Sequence, residues 1–390
     1  QSPQIFKQLL MVSGFEKYYQ IAKCFRDEDL RADRQPDFTQ IDIETSFLDQ
    51  DQVLTIMEGL IAHIFKRVIN YEFKLPLRRM KYDDAVRDYG SDKPDTRYEM
   101  KLKDIKDIVK GSEFGVFKDN KYVRALVVNG VAKTTSRKVI DKLQLEAKKF
   151  SLKGYIVLKY ENKKLDGSVT KYLSDEIQNN LIKELKLKDN DIVIIAASNS
   201  YHDASFGLGA LRVSYANELK LIKPHTHDAL YIVDFPLFEI SKETGKLTSC
   251  HHPFTRPKDE EAYLLDKDPS KVHASAYDMV VDGNEIGGGS LRIYDPEMQK
   301  KVFRILGLTD EDIKRKFGFF IDAFKYGTPP HGGIAFGVER IVMMLSETNN
   351  IRDVIAFPKN LSAMCPMSNS PREVDQDQLD ELGIKIIKEK

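Results

Sequence analysis

Residues 25–44 read FRDEDLRADRQPDFTQIDIE, a charged turn between two segments in which apolar and polar residues alternate. The alternation runs over residues 18–26 before the turn and over residues 40–44 after it. A period of two is typical of half-buried strands, so the stretch predicts an antiparallel hairpin with a long loop. One face of that hairpin carries polar side chains: Arg26, Gln40, Asp42 and Glu44. Such a row is costly to bury, and it suits a pocket for a small zwitterion and a phosphate.

The composition is that of a soluble globular protein with room for two or three domains, because 390 residues carry 42% hydrophobic and 31% charged side chains. No run of about 18 apolar residues is present, so we expect no membrane span. Neither a secretory nor a transit segment is visible. Cys24, Cys250 and Cys365 lie too far apart for a disulfide framework or a zinc site. Single reduced thiols are typical of a cytoplasmic protein, and we expect that location.

Charge is unevenly spread along the chain. Residues 101–190 contain 21 Lys and Arg against 12 Asp and Glu, whereas the whole chain contains 60 of each. A basic segment on an acidic body indicates either contact with a polyanion or a lysine-rich surface that only aids solubility. The charge alone leaves both interpretations open.

The chain divides into a main body and an insertion. Strands and helices alternate within residues 100–225, which is typical of a small α/β or α+β domain. Its expected strands span residues 123–128, 155–160 and 192–197, and its expected helices span 136–150, 172–187 and 205–222. The glycines of SFGLGALR, residues 205–212, lack the spacing of a phosphate loop, and they indicate close helix packing instead. Residues 1–99 and 226–360 would form the main body, and residues 361–390 a C-terminal extension.

The main body has its own periodic segments. Apolar residues recur at helical spacing over residues 51–69, which predicts a core-packing helix. A short helix is expected after Pro3, and a strand is expected over ALYIVDFPLFEI, residues 229–240. Further helices are expected over residues 296–306, 310–326 and 377–388.

A second polar cluster, CHHPFTR, spans residues 250–256. On a strand, His251 and His252 would project to opposite faces, so we expect only one of them to face a given pocket. One pocket histidine could balance a carboxylate near neutral pH. The alternative is a loop without any metal role, because no third ligand lies at short spacing.

A third cluster, YDMVVDGNEIGGGSLRIY, spans residues 277–294. Asp278 and Glu285 flank a turn at residues 282–284, and a hairpin would fold their carboxylates toward each other in a geometry that suits magnesium. Arg292 stands on the following strand, where its guanidinium could hold a carboxylate by two parallel hydrogen bonds. The alternative interpretation is a glycine-rich hairpin with surface charges.

A fourth cluster, GGIAFGVERIVMML, spans residues 332–345 and predicts a glycine-rich strand that leads into a helix. Arg340 would lie in the first turn of that helix, where free N–H groups and the helix dipole favour anions. Its planar guanidinium could also stack on adenine.

These motifs carry a family resemblance. FRDED followed by FTQIDIE resembles the second signature motif of class II aminoacyl-tRNA synthetases, and RDEDLRADRQPDFTQ resembles the bacterial-type aspartyl enzymes in particular. Residues 332–345 resemble the third motif, and YGTPPH at residues 326–331 precedes it as in that family. Residues 100–225 resemble the insertion domain of the bacterial type. The anticodon-binding barrel and the first motif, which precede these motifs in the family, are not visible in this sequence, and we expect them to belong to a longer protein.

The resemblance implies a fold and a set of ligands. The fold would be α+β, an antiparallel sheet flanked by helices with a smaller α/β insertion domain. The activity would be that of a ligase in protein biosynthesis, which uses ATP and Mg²⁺ to activate L-aspartate and transfers it to tRNA(Asp), with tRNA(Asn) as a further acceptor. The full-length protein would be a homodimer.

The resemblance also implies roles for individual residues. The aspartate-binding residues would be Ser2, Gln4, Lys7, Arg26, Gln40, Asp42, His251, His252 and Arg292. The ATP-binding residues would be Arg26, Glu28, Gln35, Glu285, Gly337, Val338, Glu339 and Arg340. Arg26 and Arg340 would be catalytic, and Asp278 and Glu285 would ligate magnesium. Lys7 and Arg292 would grip the side-chain carboxylate of aspartate, which would exclude asparagine.

Two other functions remain as alternatives. The first is a tRNA-independent aspartate-activating enzyme that resembles ammonia-dependent asparagine synthetase, which would need neither the insertion nor the basic loop with Arg26, Arg31 and Arg34. The second is a non-catalytic, synthetase-like binding module, which would be expected to have broken motifs. Asparaginyl and lysyl synthetases are closer relatives, and the insertion and the pocket cations disfavour them.

Overall fold

The computed structural model describes residues 2–27, 32–241 and 243–387. Its strands, in chain order, are β1 (Lys17–Phe25), β2 (Asp37–Ser46), β3 (Arg78–Lys81), β4 (Lys103–Asp104), β5 (Tyr122–Val128), β6 (Ile156–Glu161), β7 (Lys164–Asp166), β8 (Asp191–Ser198), β9 (Ala229–Val233), β10 (Phe238–Ile240), β11 (Leu247–Ser249), β12 (Ala276–Val281), β13 (Asn284–Leu291) and β14 (His331–Gly337).

The α-helices are α1 (Gln4–Val12), α2 (Gln50–Ile69), α3 (Tyr82–Tyr89), α4 (Lys106–Val109), α5 (Gly115–Asp119), α6 (Arg137–Lys148), α7 (Asp175–Glu184), α8 (Tyr201–Glu218), α9 (Pro296–Ile305), α10 (Asp310–Ala323), α11 (Val338–Leu345) and α12 (Gln376–Glu381). Short 3-10 helices lie at Thr170–Tyr172, Asp259–Asp266, Pro269–Lys271, Phe324–Tyr326 and Ile351–Val354. In the part of the chain that the structure describes, no helix is both long and apolar enough to cross a membrane.

The main sheet has seven strands in the order β1-β2-β14-β13-β12-β9-β3, and a separate sheet has the order β4-β5-β8-β6-β7. Neighbours in the main sheet are antiparallel except for the parallel pair of β3 and β9. The predicted α+β architecture is therefore confirmed. The predicted hairpin is also present, and it pairs Ala22 with Gln40 and Gln20 with Asp42.

The core of the main body lies between one face of the sheet and α2. Asp49 starts α2 with a capping box to Gln52, and Asn70 ends it in the left-handed conformation. Leu54 and Phe65 on the apolar face of the helix are fully buried in the cluster that also contains Phe336 of β14. Burial of each such side chain stabilises the fold by about 1.5–3 kcal/mol. On the opposite face of the sheet, Leu230, Ile232 and Val280 of β9 and β12 lie in a second apolar cluster, whereas β2 presents its polar side chains there.

Several predicted elements differ from the structure. The helix expected over residues 205–222 begins earlier, as α8, because Ser200 caps it, and the helix expected over residues 172–187 is limited to α7, which Ser174 caps. The strand expected over residues 229–240 is broken, because Asp234 adopts a left-handed conformation with φ of 59° and Pro236 follows it, so β9 ends at Val233. The helix expected over residues 377–388 is shorter, and α12 spans only Gln376–Glu381. Gly383 has a φ of 63° just after it, and the side chains of α12 are not buried, so packing does not extend the helix.

Candidate active site

Two adjoining cavities open on the polar face of the main sheet. The larger has a volume of about 740 Å³ and the smaller about 140 Å³. Both are lined by Arg26, Gln40, Glu285 and Ala335, so these residues mark the junction between them. A ligand with two chemically different halves could therefore occupy both cavities at once.

The larger cavity brings together the nine residues expected to bind aspartate: Ser2, Gln4, Lys7, Arg26, Gln40, Asp42, His251, His252 and Arg292. The expected magnesium ligands, Asp278 and Glu285, line it as well. The smaller cavity is lined by most of the residues expected to bind ATP: Arg26, Gln35, Glu285, Gly337, Glu339 and Arg340. Val338 begins α11 but is not among the described residues that line this cavity, and Glu28 lies outside the described residues.

A buried ion network forms the floor of the larger cavity. Glu44 of β2 accepts hydrogen bonds from Arg292 Nε at 3.0 Å and Arg292 Nη2 at 3.1 Å, and Lys7 Nζ lies 3.2 Å away. Burial alone would raise the pKa of Glu44, but the charges of Arg292 and Lys7 outweigh it and lower that pKa to about 2. Gly333 on β14 makes room for this carboxylate, because a Cβ there would lie 2.2 Å from Glu44 Oε2.

Arg292 uses all its N–H groups on protein acceptors. Besides Glu44, its Nη1 contacts Ser290 Oγ at 2.5 Å and His252 Nε2 at 2.7 Å, and its Nη2 lies 3.4 Å from the Gly333 carbonyl. Because a guanidinium only donates, His252 Nε2 accepts this hydrogen bond. Burial, followed by the charge of Arg292, lowers the pKa of His252 well below its usual range. A ligand carboxylate must therefore displace one of these acceptors to reach Arg292.

The two adjacent histidines correct one expectation. Both His251 and His252 line the larger cavity. Strand alternation does not apply to them, because β11 ends at Ser249. The sequence prediction that only one could face the pocket is therefore wrong.

Asp42 offers an oxygen that a cationic ligand could use. Its Oδ1 accepts a hydrogen bond from Lys7 Nζ at 2.7 Å, whereas its Oδ2 is buried and has no hydrogen-bond partner within the described residues. Burial is the main reason that the pKa of Asp42 is raised, although Lys7 opposes the shift. An unpaired buried oxygen of this kind is unfavourable in isolation and would be satisfied by an ammonium group.

Asp278 and Glu285 converge as predicted from the hairpin of β12 and β13. A Cβ on Gly288 would lie 2.7 Å from Asp278 Oδ1 and 3.5 Å from Glu285 Oε1, so both carboxylates flank this glycine. Burial and the charge of Glu285 raise the pKa of Asp278 to about 6, and His251 Nε2 lies 3.4 Å from Asp278 Oδ1. A cation would relieve this repulsion, and carboxylate oxygens are the ligands that Mg²⁺ prefers.

The carboxylates of Asp278 and Glu285 suit a magnesium ion that also binds water and phosphate, rather than a metal ion held by protein side chains alone. Within the described ranges, no group of three or more His, Cys, Asp or Glu side chains could hold a metal ion by itself. A magnesium ion held by Asp278 and Glu285 would therefore take its remaining ligands from phosphate oxygens and water, which is its usual behaviour.

The smaller cavity has a cation at its far end. Arg340 lies in the first turn of α11, and its Nη1 donates to the Glu285 carbonyl at 2.7 Å while its Nη2 lies 3.4 Å from Asp33 Oδ2. The Arg26 guanidinium lies over the Phe38 ring, 4.9 Å from the ring centroid. These contacts hold two arginines in the wall of the smaller cavity, which therefore suits a nucleotide.

Two of the expected ATP-binding side chains also hold the walls of the cavity. The Gln35 side-chain amide accepts from Lys359 N–H at 2.7 Å and donates to the Lys359 carbonyl at 3.2 Å. Both carboxylate oxygens of Glu339 accept from Thr39 N–H, at 2.9 and 3.0 Å. These bonds fix α11 to β2, and they fix the segment after α11 to the residues just before β2.

Three acidic residues in or next to the lining of the cavities were not among the predicted site residues: Asp33, Glu44 and Asp92. The alternation of Gln40, Asp42 and Glu44 placed Glu44 on the correct face, but the sequence did not show that it pairs with a distant arginine. Asp92 lies 158 residues or more from the histidine cluster and 50 from Asp42, so no local pattern connects it with them.

Comparisons with known proteins agree with the geometry. The family model described as tRNA synthetases class II (D, K and N) matches residues 1–361. An aspartate–tRNA ligase of Clostridium botulinum is 48% identical over 393 residues, which cover 99% of this chain and 65% of that protein. An aspartate–tRNA(Asp/Asn) ligase of Persephonella marina is 50% identical, with the same two coverages. The chain thus spans about two thirds of the length of these curated relatives.

A solved structure is also similar. The aspartyl tRNA synthetase from Entamoeba histolytica matches with a TM-score of 0.46 and 18% sequence identity, and the match covers 92% of this chain and 51% of that one.

Proposed function

The chain belongs to the class II tRNA synthetases of the D, K and N group, and from that premise we propose that it activates L-aspartate with ATP and transfers it to tRNA. The observation that carries this proposal is the pair of joined cavities, one with buried cations and an unpaired Asp42 oxygen, the other with Arg340. Aspartate–tRNA(Asp/Asn) ligases are among the similar proteins, so the proposal includes tRNA(Asn) beside tRNA(Asp) as an acceptor.

In the first step, a carboxylate oxygen of aspartate attacks the α-phosphorus of ATP, the bond to the β-phosphate oxygen breaks, and pyrophosphate leaves. Arg26 lies at the junction of the cavities, where it would bridge the reacting carboxylate and the α-phosphate and stabilise the charge that develops there. Arg340 would hold the far phosphate. Mg²⁺, when bound by Asp278 and Glu285, supplies charge neutralisation of the phosphates.

The amino acid would be oriented by the charges of the larger cavity. Asp42 Oδ2 would accept from the α-ammonium group, with Ser2 and Gln4 nearby. The third N–H of Lys7 would point to the side-chain carboxylate, beside Arg292. In the second step, a terminal ribose hydroxyl of tRNA attacks the activated carbonyl carbon, and AMP leaves.

The same proposal includes the assembly and the location. Tyr19, Ile21 and Phe25 on the outer face of β1 are 79%, 61% and 62% exposed, an apolar surface that supports a homodimer of the full-length protein. We place the protein in the cytoplasm, with its tRNA substrate.

The test is aspartate-dependent exchange of labelled pyrophosphate into ATP, followed by charging of tRNA(Asp) and tRNA(Asn) transcripts. We expect exchange with aspartate and none with asparagine. Formation of asparagine from ammonia, or binding of nucleotide without exchange, would contradict the proposal and favour one of the alternative functions.

A further inference from the structure

One face of α1 carries polar side chains that lie against the main sheet. Gln4, Lys7 and Gln8 recur at helical spacing, so their side chains leave the helix on the same side. Lys7 and Gln8 are buried, and Gln4 lines the larger cavity. Polar groups on a buried helix face are unfavourable unless each finds a hydrogen-bond partner. Lys7 contacts Asp42 and Glu44, whereas the two glutamines contact each other.

The two glutamines belong to a chain of hydrogen bonds that ends at β14. Gln4 Nε2 donates to Gln8 Oε1 at 2.9 Å, and Gln8 Nε2 lies 3.1 Å from Nε2 of His331. The other ring nitrogen of His331, Nδ1, lies 2.8 Å from the Pro329 carbonyl. His331 is the first residue of β14 and is only 1% exposed. The chain of hydrogen bonds thus leads from the larger cavity to a backbone carbonyl.

The Pro329 carbonyl determines the direction of every hydrogen bond in this chain. A carbonyl oxygen only accepts, so His331 Nδ1 donates to it. In a neutral imidazole the other ring nitrogen then has only a lone pair, so His331 Nε2 accepts from Gln8 Nε2. Burial lowers the pKa of His331 although the charge of Glu44 opposes the shift, which favours the neutral ring. Gln8 Oε1 is thereby turned toward Gln4.

Gln4 therefore keeps its carbonyl oxygen for a ligand. Its Nε2 donates to Gln8, and its Oε1 accepts no hydrogen bond within the described residues. Reversal of the Gln4 amide would bring two carbonyl oxygens together, which is unfavourable. Both carboxylates of L-aspartate only accept, so its α-ammonium is the only group of the amino acid that can donate to Gln4 Oε1. Asp42 Oδ2 would accept one of the three ammonium N–H groups, which leaves the others for further acceptors.

We propose that Gln8 and His331 are positioning residues that hold the carbonyl oxygen of Gln4 toward the α-ammonium group of the bound amino acid. This inference rests on the proposed function. Neither Gln8 nor His331 is among the described residues that line the larger cavity, so both act through Gln4. Because the amide is already oriented, binding does not have to order a flexible glutamine side chain. The chain of hydrogen bonds would thereby favour an α-amino acid over a dicarboxylate that has no ammonium group.

The test compares aspartate with succinate, which has the same two carboxylates but no ammonium group. Pyrophosphate exchange gives the KM for aspartate, and competition gives the KI for succinate, in wild type, Gln4→Met, Gln8→Met and the double variant. We expect Gln4→Met to raise the KM for aspartate about tenfold, as loss of a hydrogen bond to a charged group does. Gln8→Met should raise it roughly three- to tenfold, because binding must then order the Gln4 side chain. The KI for succinate and the KM for ATP should stay unchanged, and Gln376→Met, at an exposed glutamine of α12, is the matched control.

The double variant shows whether Gln8 acts through Gln4. It should be no worse than Gln4→Met, and multiplied effects of the two substitutions would overturn the inference. An unchanged KM for aspartate in Gln8→Met, or an equal loss of affinity for aspartate and succinate, would overturn it as well. His331→Phe keeps a ring but offers no acceptor, so it should repeat the effect of Gln8→Met and can replace that variant if it does not fold. Absence of exchange by wild type would overturn the proposed function, whereas the other outcomes overturn this inference alone.

Discussion

Glu44 and Arg292 form a two-pronged ion pair, with Nε–Oε1 at 3.0 Å and Nη2–Oε2 at 3.1 Å, and both side chains are buried. Glu44 lies on β2 and Arg292 directly follows β13, two strands that β14 separates in the sheet, and Gly333 of β14 leaves space for the Glu44 carboxylate. The pair fixes the guanidinium of Arg292, which lines the larger cavity. We therefore expect the pair to contribute both to stability and to recognition of the ligand.

Loss of this pair should destabilise the protein. Glu44→Gln leaves Arg292 buried without its counter-charge, and breaking a buried pair in this way costs about 3–5 kcal/mol. We expect that loss in the free energy of unfolding measured by urea titration. The control is Glu72→Gln, which removes the exposed pair with Lys66 and should have little effect. Equal effects of the two substitutions would contradict the account.

The decrease in the free energy of unfolding at acidic pH should also depend on Glu44. Its pKa falls from an ordinary value of 4.5 to about 2 in the folded protein, so its stabilising contribution is complete above pH 4.5 and is lost as the pH falls toward 2. We therefore expect the difference in unfolding free energy between wild type and Glu44→Gln to shrink over that window. A difference that stays constant from pH 5 to pH 2 would mean that the folded protein does not perturb this carboxyl.

Arg292 should control the use of aspartate. Arg292→Leu should abolish aspartate-dependent pyrophosphate exchange, because the cavity floor loses its planar cation. Arg292→Lys keeps the charge but not the two-pronged geometry, and we expect at least about tenfold lower kcat/KM for aspartate. Binding of an ATP analogue to Arg292→Lys, measured by calorimetry, should stay unchanged because Arg292 does not line the smaller cavity. Near wild-type exchange by Arg292→Leu would refute the assignment.

Arg340 should determine the affinity for ATP rather than the affinity for aspartate. Arg340→Ala removes a cation from the smaller cavity, and loss of a charged hydrogen bond predicts roughly 10–100-fold weaker ATP binding. Aspartate binding measured alone should not change. Arg315→Ala on the exposed face of α10 is the control. If Arg340→Ala weakens aspartate and ATP binding equally, the two cavities do not have separate roles.

The magnesium requirement should respond to Gly288. In Gly288→Ala the new methyl group would lie 2.7 Å from Asp278 Oδ1, so the carboxylate must move. We expect a several-fold higher Mg²⁺ concentration for half-maximal exchange. Gly318→Ala places its methyl group 3.8 Å from the nearest atom, Lys314 Cγ, and should leave the requirement unchanged. An unaltered magnesium dependence in Gly288→Ala would argue against Asp278 as a ligand.

The sequence predicted the elements whose signals are local. The alternation on both sides of the turn at residues 25–44 predicted β1 and β2, and the Asp-Gly turn predicted the hairpin of β12 and β13. The polar residues of β2 then identified the face on which the cavities open. Predictions of this kind agree with the structure because the periodicity of a strand and the residues of a turn do not depend on distant parts of the chain.

Contacts between distant segments were not predictable in the same way. The acceptors of Arg212, a buried residue of α8, are backbone carbonyls, which carry no sequence pattern, so its burial became visible only in the structure. All N–H groups of Arg292 have acceptors in the protein because His252 and Ser290 lie within hydrogen-bonding distance of its guanidinium, and no pattern in the sequence shows this. The expectation that Lys7 and Arg292 exclude asparagine simply by gripping the aspartate carboxylate is therefore incomplete, because both cations already have carboxylate partners in the protein.

Calorimetric titration with a non-hydrolysable aspartyl-adenylate analogue and its asparaginyl counterpart tests the central claim most directly. The analogue spans both cavities, so its affinity reports the amino-acid pocket and the nucleotide pocket together. The account predicts tight binding of the aspartyl form and roughly 10–100-fold weaker binding of the asparaginyl form, since an amide cannot replace the charged hydrogen bonds that a carboxylate makes with Lys7 and Arg292. Equal affinity for the two analogues, or no binding of either, would contradict it.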